Sequence, residues 1–194
     1  NAVTFRTVVK TIAAGNGLCA DFSPKPLPDQ PGSGFHINMS VKGPGENRMH
    51  HMMGGILRHV SDMTRFLNPS PQSYSRLGVC KAPKYISWSN NNRSMLIRIP
   101  AAAGEYRRVE LRSPDCTANP YLAFALLIWA GLDGIQNEID LPEKANVNLY
   151  TAEPRDIGDM ETLPLSLGAA IKRAEESEFI RAHLPESLIA CYKN

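Results

Sequence analysis

Residues 35–67 read FHINMSVKGPGENRMHHMMGGILRHVSDMTRFL, and the period of the apolar positions changes partway through. Phe35, Ile37, Met39 and Val41 alternate with His36, Asn38 and Ser40. That is a half-buried strand with one polar face. Met49, Met52, Met53, Ile56, Leu57, Val60, Met63 and Leu67 then recur at helical spacing. They form the single apolar stripe of an amphipathic helix.

Further strands are expected over Leu18–Phe22, Tyr85–Trp88, Ser94–Ile99 and Arg107–Arg112. Helices are expected over Thr4–Ala14 and, in two or three pieces, across Leu163–Tyr192. Asn119-Pro120 places a capping side chain before a proline in the first turn, a helix start. The run Tyr121–Leu132 that follows is apolar nearly all round, so that helix is expected to be buried. Strands and helices mix without a βαβα rhythm, which predicts an α+β fold with an antiparallel sheet and flanking helices.

The chain has 194 residues, a net charge of +2 and 43% hydrophobic residues, a globular composition of about one domain. The charge is too small to imply nucleic acid or an anionic membrane as partner. The twelve apolar residues of Tyr121–Leu132 fall short of the roughly 20 that a transmembrane helix needs, and no signal peptide is expected from the opening residues. Cys19, Cys80, Cys116 and Cys191 form no C-x-x-C pair, which suits a reducing cytoplasm. No G-x-G-x-x-G or Walker loop is present.

Chemistry-bearing residues concentrate between Arg93 and Arg112. Arg108, Glu110 and Arg112 share one face of a strand, with Val109 and Leu111 on the other. Two readings stand: a surface ion-pair ladder worth little, or a site whose arginines hold carboxylate or phosphate while the glutamate holds a metal. Arg76, Arg93 and Arg98 add guanidiniums nearby. His36 follows Gly32-Ser33-Gly34, where glycines let backbone approach a ligand closely. His50, His51 and His59 are expected on the solvated side of the long helix.

Several ordered motifs carry a family resemblance. Lys25-Pro26 leads to Gly32-Ser33-Gly34-Phe35-His36, and Asn92-Arg93-Ser94 to Ile97-Arg98-Ile99-Pro100. Arg107–Arg112 runs into Ser113-Pro114-Asp115 and Ala118-Asn119-Pro120-Tyr121-Leu122-Ala123-Phe124. With Ala130–Ile135 and Asn148-Leu149-Tyr150, this series resembles the glutamine synthetase family from about Val8 to Tyr150. The resemblance implies the fold of the glutamine synthetase and guanidino kinase catalytic domain. It also implies that residues 1–194 are the C-terminal part of that domain, without the N-terminal β-grasp-like domain and the upstream catalytic strands.

The implied activity is an ATP-dependent glutamate–ammonia ligase acting through γ-glutamyl phosphate, with Mg²⁺ or Mn²⁺. The implied setting is a cytoplasmic, ring-type homo-oligomer of the full-length protein, and the isolated fragment is expected to be inactive. By position, His36 and Glu110 resemble metal ligands. Arg93 and Arg98 resemble the catalytic arginines facing the phosphates. Gly32, Arg76 and Arg112 resemble glutamate-binding residues, and Asn38, Ser40 and Arg108 resemble nucleotide-binding ones. Tyr150 resembles the tyrosine that some bacterial members adenylylate.

The chain also departs from the family. Lys81, in Cys80-Lys81-Ala82-Pro83, replaces the flap glutamate that helps bind ammonium and take its proton. Pro31 replaces an asparagine, Asn38 a second histidine, and Glu105 a lysine found in some members. Lys81 keeps open a glutamate–amine ligase that uses an organic amine; a non-catalytic relative is the other alternative.

Overall fold

The switch of period within residues 35–67 builds the two layers of the molecule. The computed structural model describes residues 1–43, 47–102 and 104–193. In chain order the elements are α1 (Ala2–Gly15), β1 (Ile37–Met39), α2 (Arg48–Leu67), α3 (Pro71–Tyr74), β2 (Trp88–Asn90), β3 (Ile97–Ile99), a 3₁₀ turn (Gly104–Tyr106), β4 (Val109–Leu111), α4 (Pro120–Gln136), α5 (Pro154–Ile157), α6 (Leu167–Glu176), α7 (Glu178–His183) and α8 (Glu186–Cys191). The side chain of Glu105 lies outside the described residues.

The four short strands form one sheet in the order β1-β4-β3-β2. β1–β4 and β4–β3 are antiparallel, as expected. β2–β3 corrects the expectation of a wholly antiparallel sheet, because these two strands run parallel. Parallel neighbours ordinarily need a crossover of about a dozen residues or more. Here each strand is three residues long, so residues 91–96 suffice to return the chain, and Asn91 turns it at φ 58°.

Alternation sorts the side chains. Ile37, Ile97, Val109 and Leu111 join Met53, Ile56, Val60, Met63, Phe66 and Leu67 of α2 in one hydrophobic core. Burying each such side chain contributes about 1.5–3 kcal/mol. On the opposite face, pairing aligns Asn38, Glu110, Arg98 and Ser89 in a row across the four strands.

Helix α4 starts as the sequence predicts. Asn119 Oδ1 accepts hydrogen bonds from Tyr121 N (3.0 Å) and Leu122 N (3.5 Å). Its buried side presents Ala123, Leu126, Leu127, Ala130, Gly131 and Gly134, and it packs closely on α2. A β-carbon at Gly55 would meet Ala130 O at 2.1 Å, so only glycine permits this crossing. The expectation of an entirely buried helix is corrected on the far side, where Tyr121 is 74% and Ile128 60% exposed. α2 packs against one face of α4, and the other described residues cover the rest only in part, through Phe35 against Phe124 and His183 against Trp129.

Two smaller expectations are also corrected. Leu18–Phe22 is irregular; Asp21 Oδ1 accepts from Ser23 N (2.7 Å), closing a local turn where strand pairing would be required. His59 is not a solvated residue, since its Nε2 lies 2.8 Å from Asp133 Oδ2 and its ring stacks on Phe179. No helix among the described residues is long and apolar enough to cross a membrane.

Candidate active site

The polar face of the sheet meets two loops at a cleft of about 350 Å³. Its walls bring together Gly32, His36, Arg76, Arg93, Arg98, Glu110 and Arg112, seven residues singled out from the sequence. Lys81 joins them. Asn38 and Arg108 sit farther along the same sheet face, linked by Arg108 Nε donating to Asn38 Oδ1 at 3.1 Å. Ser40 lies just beyond the end of β1 and is exposed. These three lie outside the cleft lining.

Glu110 is the hub. The residue is 7% exposed, and its carboxylate faces three partners. His36 Nδ1 is 3.1 Å from Oε1, Arg112 Nη1 donates to Oε2 at 3.2 Å, and Arg98 Nε forms an ion pair with Oε2 at 2.7 Å. The surface-ladder reading of Arg108, Glu110 and Arg112 is therefore not the arrangement that forms. Arg98, the cross-strand neighbour of Glu110, takes the place of Arg108. Burial by itself would raise the Glu110 pKa, but Arg112, His36 and Arg98 outweigh it and hold the group below its ordinary value.

His36 shows the opposite balance. Burial, followed by the Arg112 charge, holds it below its ordinary 6.5 against the pull of Glu110. The imidazole is thus neutral at pH 7. An ionised carboxylate can only accept, so Nδ1 carries the proton and Nε2 keeps its lone pair. A β-carbon at Gly34 would sit 3.0 Å from Nε2, so the glycine keeps the approach to that atom open.

Arg76 and Arg112 are 2% and 4% exposed. Arg76 Nη2 donates to Ser113 O and to Asn68 Oδ1. Arg112 Nη2 donates to Lys81 O at 3.4 Å. The Nε of each is buried without a partner. Burial lowers the Arg76 pKa and Asp115 opposes it, leaving the guanidinium charged. Two buried guanidiniums with unused donors suit an anion that can take several hydrogen bonds, such as a carboxylate. A β-carbon at Gly32 would lie 2.6 Å from the Arg76 side chain and 2.4 Å from Pro24 O, so only glycine lets this loop pass over the arginine.

The sequence does not single out Asn68 and Ser113, which hold Arg76 in place. Asn68 is signalled by its position just after the long helix, and Ser113 by the Arg112-Ser113-Pro114-Asp115 run. Among the described residues no group of three or more His, Cys, Asp or Glu gathers as a complete metal cage. His36 and Glu110 together supply two donors of types that Mg²⁺ and Mn²⁺ accept, and such ions complete their shells with phosphate oxygens and water.

Comparison with known proteins extends these observations. Residues 1–194 match the family model described as glutamine synthetase, catalytic domain. The chain is 43% identical to a glutamine synthetase of Methanosarcina mazei, over 99% of this chain and 46% of that protein. It is 42% identical to one from Pyrococcus furiosus, over 100% of this chain and 46% of that protein. Among solved structures, a GmaS/ADP complex superposes with a TM-score of 0.86 at 32% identity, covering 99% of this chain and 48% of that one. GmaS without ligand gives 0.85 at 32% identity, covering 98% and 46%. The chain spans about half the length of the curated relatives it matches.

Proposed function

The chain belongs to the glutamine synthetase family, and from that premise we propose that it is the C-terminal part of a catalytic domain whose full-length protein ligates ammonia to glutamate with ATP. The observation that carries this reading is the cleft itself. One ionised, nearly buried carboxylate stands among Arg98, Arg112 and a neutral histidine, and two buried guanidiniums keep donors unused.

In this reading Arg76 and Arg112 hold the glutamate carboxylates, and the Gly32 backbone lies alongside the substrate. Arg93 and Arg98 face the transferring phosphoryl group and neutralise its equatorial oxygens. Asn38, Ser40 and Arg108 line the nucleotide side of the sheet face. The γ-phosphoryl of ATP passes to the side-chain carboxylate of glutamate, giving ADP and γ-glutamyl phosphate. Ammonia then attacks the acyl carbon, phosphate leaves, and the amide remains. His36 and Glu110 would hold a Mg²⁺ or Mn²⁺ ion, which would supply charge neutralisation at the phosphates. The proposed setting is a cytoplasmic, ring-type homo-oligomer.

Lys81 favours a second reading. Lys81 lines the cleft, and no carboxylate among the described residues pairs with it. A cation there repels ammonium and serves as a base only with a lowered pKa. An organic amine acceptor would make the protein a glutamate–amine ligase.

The test follows ADP release by the full-length protein with glutamate, Mg²⁺ or Mn²⁺, and either ammonium or a panel of primary amines. Ammonium-dependent turnover supports the first reading, and turnover confined to organic amines supports the second. No turnover with any acceptor rejects both in favour of a non-catalytic relative. The isolated 194-residue chain is expected to show none.

A further inference from the structure

Arg93 lines the cleft from an exposed position, and no acidic side chain among the described residues pairs with it. A long side chain held by no partner of its own is aimed by the backbone it starts from. That backbone is the return turn between β2 and β3, and it is gripped from outside. Asn92 Nδ2 donates to Val147 O at 2.8 Å, Tyr150 Oη donates to Arg93 O at 2.9 Å, and Leu149 N donates to Ser94 Oγ at 3.0 Å. Three successive residues of the turn are thus each bonded to one short segment.

Both partners are internally braced. Asn92 Oδ1 accepts from Ser94 N (3.0 Å) and Ser94 Oγ (2.8 Å). Asn148 Oδ1 accepts from Tyr150 N (3.2 Å), and Leu149 is buried as an anchor. Burial raises the Tyr150 pKa, and the Arg112 guanidinium opposes it by its charge and by a hydrogen bond to the phenol, so the phenol keeps its proton and remains a donor to Arg93 O.

We infer that Val147–Tyr150 is a strap that sets where Arg93 enters the cleft, and that Tyr150 is a positioning residue acting through the Arg93 backbone. This rests on the reading of the cleft as a site for nucleotide phosphates. The strap removes the freedom of the turn, so that the arginine meets its ligand without first being ordered.

The test uses the full-length protein as wild type, Tyr150→Phe, Arg93→Ala and the double variant. The readout is the Kd of a Mg²⁺-loaded β,γ-imido ATP analogue measured by calorimetry. Loss of one hydrogen bond is expected to weaken binding roughly fivefold in Tyr150→Phe. In the Arg93→Ala background the same change is expected to have no further effect, because its route is gone. A full fivefold loss in both backgrounds overturns the inference.

Wild-type protein that binds no analogue rejects the functional reading instead. The strap is then judged by hydrogen exchange, which needs no ligand. Tyr150→Phe is expected to speed amide exchange over residues 91–94 and leave α2 unchanged. Unchanged exchange in the turn overturns the strap. Ser94→Ala removes a tie remote from Arg112 and is expected to reproduce the faster exchange; unchanged exchange in that variant overturns the strap as what holds the turn.

Discussion

Leu111 and Arg112 are neighbours in the chain, yet they belong to regions built on different physics. Leu111 is buried with Ile37 and Ile97 against the stripe of α2. Arg112 is equally hidden, but in a cluster of four charged or titratable groups. The apolar region gains stability by removing surface from water. The polar region loses solvation for every charge it buries and recovers it only through partners. A side chain can therefore be as inaccessible as a core leucine and serve a ligand instead of the core.

The largest expected effect breaks the polar side of that contrast. Arg112→Ala in the full-length protein removes a buried, charged donor from the proposed carboxylate clamp. Truncation of one partner of a buried charged pair costs about 3 kcal/mol, equivalent to on the order of a 100-fold loss. The loss is expected in the KM for glutamate, with the KM for ATP changed far less. Equal losses for both substrates would remove the clamp assignment.

The adjacent substitution tests the apolar side. Leu111→Ala leaves a cavity in a well-packed core and costs about 3 kcal/mol of stability. In the full-length protein that lowers Tm. Kinetic constants at low temperature are expected to stay near those of the wild type. A Leu111→Ala protein of normal Tm but altered KM would show that the two faces are not separable.

The sequence carries this contrast clearly in one place and poorly in others. Alternation in residues 35–41 and 107–112 places His36, Asn38, Glu110 and Arg112 opposite the core, because strand geometry depends only on local spacing. Strand pairing is not local. The partnership of Glu110 with Arg98, and the parallel run of β2 beside β3, follow from which edges meet. The approach of Gly32 to Arg76 is likewise invisible, since 44 positions separate them. The Tyr121–Leu132 run failed as a burial signal because composition shows that a face is apolar and not what covers it.

The smallest expected effect sharpens the comparison by holding geometry nearly fixed. Arg173 Nε lies 2.8 Å from Asp62 Oδ1, closer than the 3.2 Å between Arg112 Nη1 and Glu110. Distance would rank the Arg173 pair as the stronger. Its side chain, however, is 57% exposed, so water and salt screen the attraction and its loss frees a mobile side chain. Asp62 also keeps a bond from Ser177 Oγ at 2.6 Å. Arg173→Ala is therefore expected to cost less than about 1 kcal/mol in denaturant unfolding, and less still in high salt. A loss as large as that of Leu111→Ala would mean that solvent does not screen this pair, and that burial is not what separates the two arginines.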